Sequence, residues 1–163
     1  DKCAEFRDQV TAILQRLADR GVNVFDQAYK EIPGSNPKRY TTAYDGQCDA
    51  ELTRIYDDLL GALPGLTYSL AVDNKGYAPA HNGIFSNAPS GNPEIDLSKC
   101  RHKRIFSDPV GLKLAQNQKS SLFQTYVRDT GEVLNDLSMP IRIGGRHWGA
   151  VRVGFKTEMV VGG

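Results

Sequence analysis

Apolar residues recur at helical spacing near the start of the chain and alternate with polar ones towards its end. Phe6, Val10, Ile13, Leu14 and Leu17 fall three and four apart, with Glu5, Arg7, Asp8, Gln15 and Arg16 facing away. That spacing predicts a helix from Lys2 to Ala18 or further. Gly21 weakens the pattern, and Val22 to Ala28 either continues or bends the helix, so residues 1–30 are taken as an N-terminal helical segment. Pro33, Gly34, Ser35, Asn36 and Pro37 make a loop. A second helix is expected over Asp49–Leu63, where Leu52, Ile55, Tyr56, Leu59, Leu60 and Leu63 form an apolar stripe. Asp49 is its expected N-terminal cap and Pro64-Gly65 its stop.

Leu66 to Val72 alternates in the manner of a strand; Asp73-Asn74-Lys75-Gly76 reads as a tight turn, and Tyr77 to Asn82 as a returning strand. Gly83 to Leu97, dominated by Asn, Pro, Ser and Gly, reads as a long loop, and long irregular segments in compact domains are often functional. A basic cluster follows (Lys99, Arg101, Lys103, Arg104), then a helix-start signal at Ser107 or Asp108 before Pro109 that predicts a short helix over Pro109–Gln116. Three strands close the chain: Leu122–Val127, Val133–Ile143 and His147–Phe155, separated by Asp129-Thr130-Gly131 and Gly144-Gly145. No strand–helix–parallel-strand repeat appears. The order implies an α+β fold, an antiparallel sheet of about five strands with the long N-terminal helix and a second helix packed on it.

The 163 residues suit one domain with a single core, and 40% hydrophobic with 24% charged residues is the balance of a folded chain. A net charge of +1 gives no electrostatic reason to expect nucleic acid. Apolar runs fall far short of the ~20 residues needed to cross a bilayer, and no signal-peptide pattern is present. The chain lacks an initiator Met, its helical periodicity starts within the first turn, and its last residues, Met159 to Gly163, carry little pattern; we read it as a fragment of something longer. Cys3, Cys48 and Cys100 show neither a Cys-X-X-Cys pair nor zinc spacing, and read as isolated, partly buried thiols, with a Cys48–Cys100 bridge open in an oxidising compartment.

The chemistry of interest lies on the strands. Gln124, Tyr126 and Arg128 alternate on one, Asp136 and Ser138 on the next, and Arg152 on the last. A sheet face carrying such groups suits a small polar ligand; no phosphate loop or nucleophile elbow is present. Arg101 and Arg104 offer planar forks for a carboxylate. Lys99 and Lys103 read as solvated. For Arg104, beside Ile105-Phe106, two readings stay open: a surface charge, or a partly buried one needing an anion such as Asp136, Asp108 or a ligand. His81, His102 and His147 lack ligand-type spacing, so no metal site is expected, and His81 fits a hydrogen-bonded structural role. Trp148 reads as core, and Gly149 and Gly154 as places where another element packs close.

Four segments, Tyr77-Ala78-Pro79-Ala80-His81-Asn82, Arg101-His102-Lys103-Arg104-Ile105-Phe106, Gln124-Thr125-Tyr126-Val127-Arg128-Asp129 and Gly145-Arg146-His147-Trp148-Gly149-Ala150-Val151-Arg152, resemble the extracytoplasmic sensor domain of bacterial methyl-accepting chemotaxis receptors, of the PAS-like or single-Cache type. The resemblance covers roughly residues 50–156, with the long helix in front. It implies one sensor domain over 1–163, its PAS-like module over 49–156, in the periplasmic part of a membrane-anchored receptor that pairs as a homodimer. A related branch carries covalent haem, which needs Cys-X-X-Cys-His; Cys100-Arg101-His102 does not supply it, so no haem and no other cofactor is expected. The expected function is sensing of a small molecule, a short carboxylate such as acetate, with a conformational signal passed to the cytoplasmic part. Its candidate ligand-binding residues are Tyr77, His81, Arg101, Arg104, Gln124, Tyr126, Arg128, Asp136 and Ser138. The alternatives are a ligand-free dimerisation module, or a Cys/His hydrolase using Cys100, His81 and Asp136.

Overall fold

In the computed structural model, which describes residues 1–156, helix α1 (Lys2–Asp19) starts on Asp1, whose carboxylate accepts the Cys3 N–H at 3.0 Å. It buries Phe6, Val10, Ile13, Leu14 and Leu17, the stripe read from the sequence. It ends at Asp19 rather than running towards residue 30, because Gly21 turns the chain at φ 85°. The following loop places Val24, whose carbonyl accepts the Trp148 indole N–H at 2.8 Å. A two-stranded ribbon, β1 (Lys30–Glu31) and β2 (Tyr40–Thr41), occupies the expected loop region. Helix α2 (Asp49–Ala62) begins at Asp49 itself, with Cys48 at the cap position and no side-chain cap, so Asp49 opens the helix instead of capping it.

The sheet has four antiparallel strands in the order β3-β6-β5-β4: β3 (Leu66–Asp73), β4 (Leu122–Val127), β5 (Val133–Ile143) and β6 (Arg146–Phe155). Gly144 and Gly145 both take positive φ, which closes the β5–β6 hairpin in the sense that suits strand twist. The expected returning strand at Tyr77–Asn82 does not join the sheet. The turn at Asp73–Gly76 forms, but the chain then pairs with residues 103–106 through a single bridge at Tyr77 and Ile105. Pro79 has no N–H to give a ladder, so the segment leaves β3 and becomes part of a layer over the sheet. The presumed long loop also contains a helix, α3 (Pro93–Lys99). Asn92 caps it by accepting the Glu94 and Ile95 N–H groups, and Pro93 occupies its first turn. Helix α4 (Pro109–Ala115) follows, capped by Asp108.

Register sorts the two faces. Ser69, Val153 and Leu137 lie side by side, as do Ala71, Val151 and Met139; this face meets α1 and α2, and the Ser69 hydroxyl donates to the Tyr56 carbonyl at 2.8 Å. The opposite face presents Tyr68, Gly154, Asp136 and Gln124 in one row, and Leu70, Arg152 and Ser138 in the next. Segment 77–117 covers it. Both inferred close approaches occur: a Cβ on Gly149 would stand 2.0 Å from the Val72 carbonyl oxygen, and one on Gly154 would stand 2.4 Å from the Tyr68 ring. All three cysteines are free and buried, so Cys48 and Cys100 are not bridged. Among the described residues no helix is long and apolar enough to cross a membrane. The expected domain limit at 163 lies outside the described residues.

Candidate functional site

The covered face of the sheet concentrates buried arginines. Arg152 of β6 places Nε and Nη2 at 3.1 and 2.8 Å from one oxygen of Asp136 on β5. The Tyr68 hydroxyl donates to that same oxygen, an approach that Gly154 makes possible by having no side chain under the Tyr68 ring. Burial pushes the Asp136 carboxyl up and Arg152 pulls it down. Arg152, with two N–H groups on the carboxylate, is held charged despite its burial, and we read the pair as ionised. The second oxygen, Oδ1, has no partner among the described residues.

A second cluster enters from the covering layer. Arg101 and Arg104 share two acceptors. Arg101 Nη1 lies 2.7 Å from Asp129 Oδ1 and 2.8 Å from the Leu97 carbonyl. Arg104 reaches Asp129 Oδ2 at 2.5 Å and the same carbonyl at 3.1 Å. In a regular extended segment, residues three apart point to opposite sides. Here Lys103 sits at φ 64°, the one non-glycine residue with positive φ among those described. The kink breaks the alternation and brings both guanidiniums to one carboxylate. Both also stack on Phe106, at 5.1 and 5.0 Å from its centroid. Burial would push the Asp129 carboxyl up, but Arg101, and then Arg104, hold it below the usual carboxylate range. Arg128 packs over Tyr68 and Phe85 at 5.5 and 5.2 Å and pairs with Glu132 at 2.8 Å.

Tyr68, Arg101, Phe106 and Arg152 from these clusters, with Leu70, His81 and Tyr126, line a small cavity. It leaves room for about one water molecule. Two guanidinium groups, Arg101 Nε and Arg128 Nε, are buried without a partner among the described residues. His81 is buried and neutral: desolvation, and then Arg101 and Arg128, hold its pKa well below the ordinary value. Its Nδ1 accepts the Asn82 N–H at 2.8 Å, which leaves Nε2 as the ring's donor. Tyr126 donates to Asp108 at 3.2 Å. Among the described residues, the lining of the cavity itself holds two guanidiniums, of Arg101 and Arg152, and no carboxylate.

No family model and no curated protein matches the chain. Among solved structures it is similar to an extracellular ligand binding receptor from Desulfohalobium retbaense DSM5692, at 15% identity and a TM-score of 0.46. The likeness covers 99% of this chain and 25% of that one, so this chain spans a quarter of the receptor's length. It is too remote to add to what the geometry says.

Of the residues singled out from the sequence, His81, Arg101 and Tyr126 line the cavity. Asp136 sits beneath it through Arg152, while Arg104 lies at its edge with Asp129. The anion beside Arg104 is Asp129, and Asp136 instead neutralises Arg152. Arg128 stands against Tyr68. Gln124 is half-buried in the Asp136 row and does not line the cavity. Ser138 is buried next to Arg152, but its hydroxyl is spent on the Leu114 carbonyl at 2.7 Å. Tyr77 lies elsewhere: its hydroxyl donates to Asp45 at 2.5 Å and also lies 2.9 Å from the Tyr40 carbonyl oxygen, in a separate aspartate–tyrosine cluster. Tyr68, Leu70, Phe106, Arg152 and Asp129 join the site without having been singled out for it. The alternation had put Arg152 on the right face, but only the register shows that it meets Asp136.

Proposed function

We propose that this chain is the ligand-binding sensor domain of a bacterial transmembrane chemotaxis receptor, PAS-like in fold and periplasmic, and that it takes a short carboxylate such as acetate. The observation that carries this reading is the cavity edged by Arg101 and Arg152, with a buried Arg101 Nε lacking a partner. A buried guanidinium N–H without an acceptor is costly, and a carboxylate supplies acceptors together with the charge. The His81 Nε2–H, in a ring that lines the same cavity, is a second donor suited to one small anion. The four segments that carry the resemblance to chemotaxis receptors supply His81, Arg101, Arg104, Tyr126, Arg128, Asp129 and Arg152, so likeness and site coincide. Binding a ligand between the sheet and its covering layer favours one packing of the two over another, and α1, packed on the sheet's other face, receives the shift.

A binding role fits better than hydrolysis. Asp136 is occupied by Arg152 and Tyr68, and His81 Nδ1 by a backbone N–H, so neither orients or activates Cys100. Burial pushes the Cys100 thiol up, away from the thiolate a nucleophile needs. A homodimer would have an apolar strip to bury in Phe123, Val127 and Val133, which are exposed where β4 meets β5.

The test is a thermal-shift screen of the domain against small carboxylates, amino acids and amines, with Arg101→Ala beside the native protein. A saturable stabilisation by acetate or a close analogue, absent in the variant, is expected; ligand at a hundred times its dissociation constant stabilises by about 2.7 kcal/mol. No stabilisation by any carboxylate would contradict the reading and favour the ligand-free dimerisation module.

A further inference from the structure

Asp129 supplies a carboxylate to both Arg101 and Arg104. It stands in the turn between β4 and β5, exposed enough to leave, with its side chain 30% accessible. Its two oxygens are divided between Arg101 and Arg104 at 2.7 and 2.5 Å, each guanidinium giving one N–H to one oxygen. The two arginines face different spaces. Arg101 lines the inner cavity, while Arg104 and Asp129 line a groove open to solvent; Phe106 and Tyr126 line both. Asp129 thus sits where the groove meets the cavity.

We propose, resting on the carboxylate reading above, that Asp129 is an internal stand-in for the ligand: the ligand's carboxylate displaces it from the Arg101–Arg104 fork and frees the β4–β5 turn. Two nearly buried arginines cannot be left without a counter-charge at small cost. Asp129 supplies that charge in the empty site and the ligand supplies it in the filled one, so the exchange leaves the buried charge unchanged. The anchoring of the turn to the covering layer changes instead, because Asp129 alone ties the turn to Arg101 and Arg104 through side chains among the described residues. An exchange of this kind converts occupancy into release of a sheet hairpin, and it sets affinity by competition: ligand binds only to the fraction of molecules whose fork is open.

The experiment pairs calorimetric titration of sodium acetate into the native protein and Asp129→Asn with hydrogen exchange of the native protein with and without saturating acetate. Removing the internal competitor should tighten acetate binding about tenfold, and acetate should speed exchange at the amides of residues 129–132 while slowing it around Arg101. Acetate binding that is unchanged or weaker in Asp129→Asn, with residues 129–132 becoming more protected, would overturn the displacement and leave Asp129 as a fixed counter-ion, the carboxylate reading standing. Absence of binding to either protein would sink both. If Asp129→Asn fails to fold by circular dichroism, the exchange pattern of the native protein decides between the first two outcomes.

Discussion

Two buried polar clusters occupy this small molecule, and they are built to different standards. In the first, around Asp45 and Asp73, the carboxylates are saturated. Asp73 accepts from the Lys75 and Tyr77 N–H groups at 2.9 and 3.0 Å and from the Tyr29 hydroxyl at 2.5 Å. Asp45 accepts from the Thr42 N–H at 2.9 Å, the Thr42 hydroxyl and the Tyr77 hydroxyl, with the Lys103 ammonium at 3.6 Å. In the second, around Arg101, Arg104, Arg128 and Arg152, two guanidinium N–H groups and one Asp136 oxygen stay unpaired beside a cavity. Native proteins rarely leave buried polar atoms unsatisfied; outside these carboxylates and arginines the Tyr44 and Tyr56 hydroxyls, Thr67 Oγ1 and His102 Nδ1 are also buried without a partner among the described residues. The Asp45–Asp73 cluster ties the 77–106 layer to the ribbon and to α2; the arginine cluster keeps two N–H groups without an acceptor among the described residues.

If that contrast is right, the two clusters respond differently to mutation. Asp45→Ala removes the acceptor of several buried donors and strands Tyr77. It should cost about 3–5 kcal/mol in urea unfolding while leaving acetate affinity of the folded protein unchanged; a loss of affinity as large as at Arg101→Ala would erase the distinction. Arg152→Met strands Asp136 in the core and should cost about 3 kcal/mol. Adding Asp136→Leu should recover most of that loss, since a matched apolar pair replaces a matched ionic one, whereas acetate binding stays lost in both.

The histidines give a pH dependence of stability. His81 and His102 are held below the ordinary value first by burial and then by neighbouring arginines, His102 down to about 4; His147 is lowered by burial and by Arg142. Each binds a proton more readily in the unfolded chain than in the folded one, so stability is full above pH 6.5 and falls as pH drops below it. Each such group contributes a slope of up to about 1.4 kcal/mol per pH unit. Melting temperatures recorded from pH 7 to pH 4 should decline throughout, with His102→Asn shallower by about one proton; a flat profile would show that the histidines are not excluded from protonation. The smallest expected effect is at Gly154→Ala, where a methyl meets the Tyr68 ring and pushes its hydroxyl off Asp136. A cost of about 1–3 kcal/mol is expected, with the tyrosine fluorescence altered; no change would mean that the ring moves freely.

How much of this was legible in the sequence differs between the elements and the site. The stripe of α2, the alternation of β3 and the three glycine-separated strands at the end were readable because each element's period is local. The segment at Tyr77–Asn82 carried strand-type residues but pairs outside the sheet, since Pro79 and the choice of partner are tertiary matters. Helix α3 was hidden by loop-like composition, although Asn92-Pro93 ahead of Glu94 was a legible start signal. In the site, Arg101 and Tyr126 were accessible to reasoning about residue chemistry. The Arg152–Asp136 pair depends on strand register, and the meeting of Arg101 with Arg104 depends on the left-handed backbone at Lys103, which no pattern of side chains announces. Asp129 read as a turn residue for the same reason: its partners lie more than twenty positions away.

The most direct test of the unsaturated cluster as a ligand site is to record arginine Nε–H resonances in a nitrogen–proton NMR titration with acetate. The account predicts saturable shifts of the Arg101 and Arg128 Nε–H signals, with the amides of Lys75 and Tyr77 in the saturated cluster unmoved. Signals from Arg101 and Arg128 that stay fixed while acetate perturbs the Asp45–Asp73 region, or that no small carboxylate moves, would contradict it.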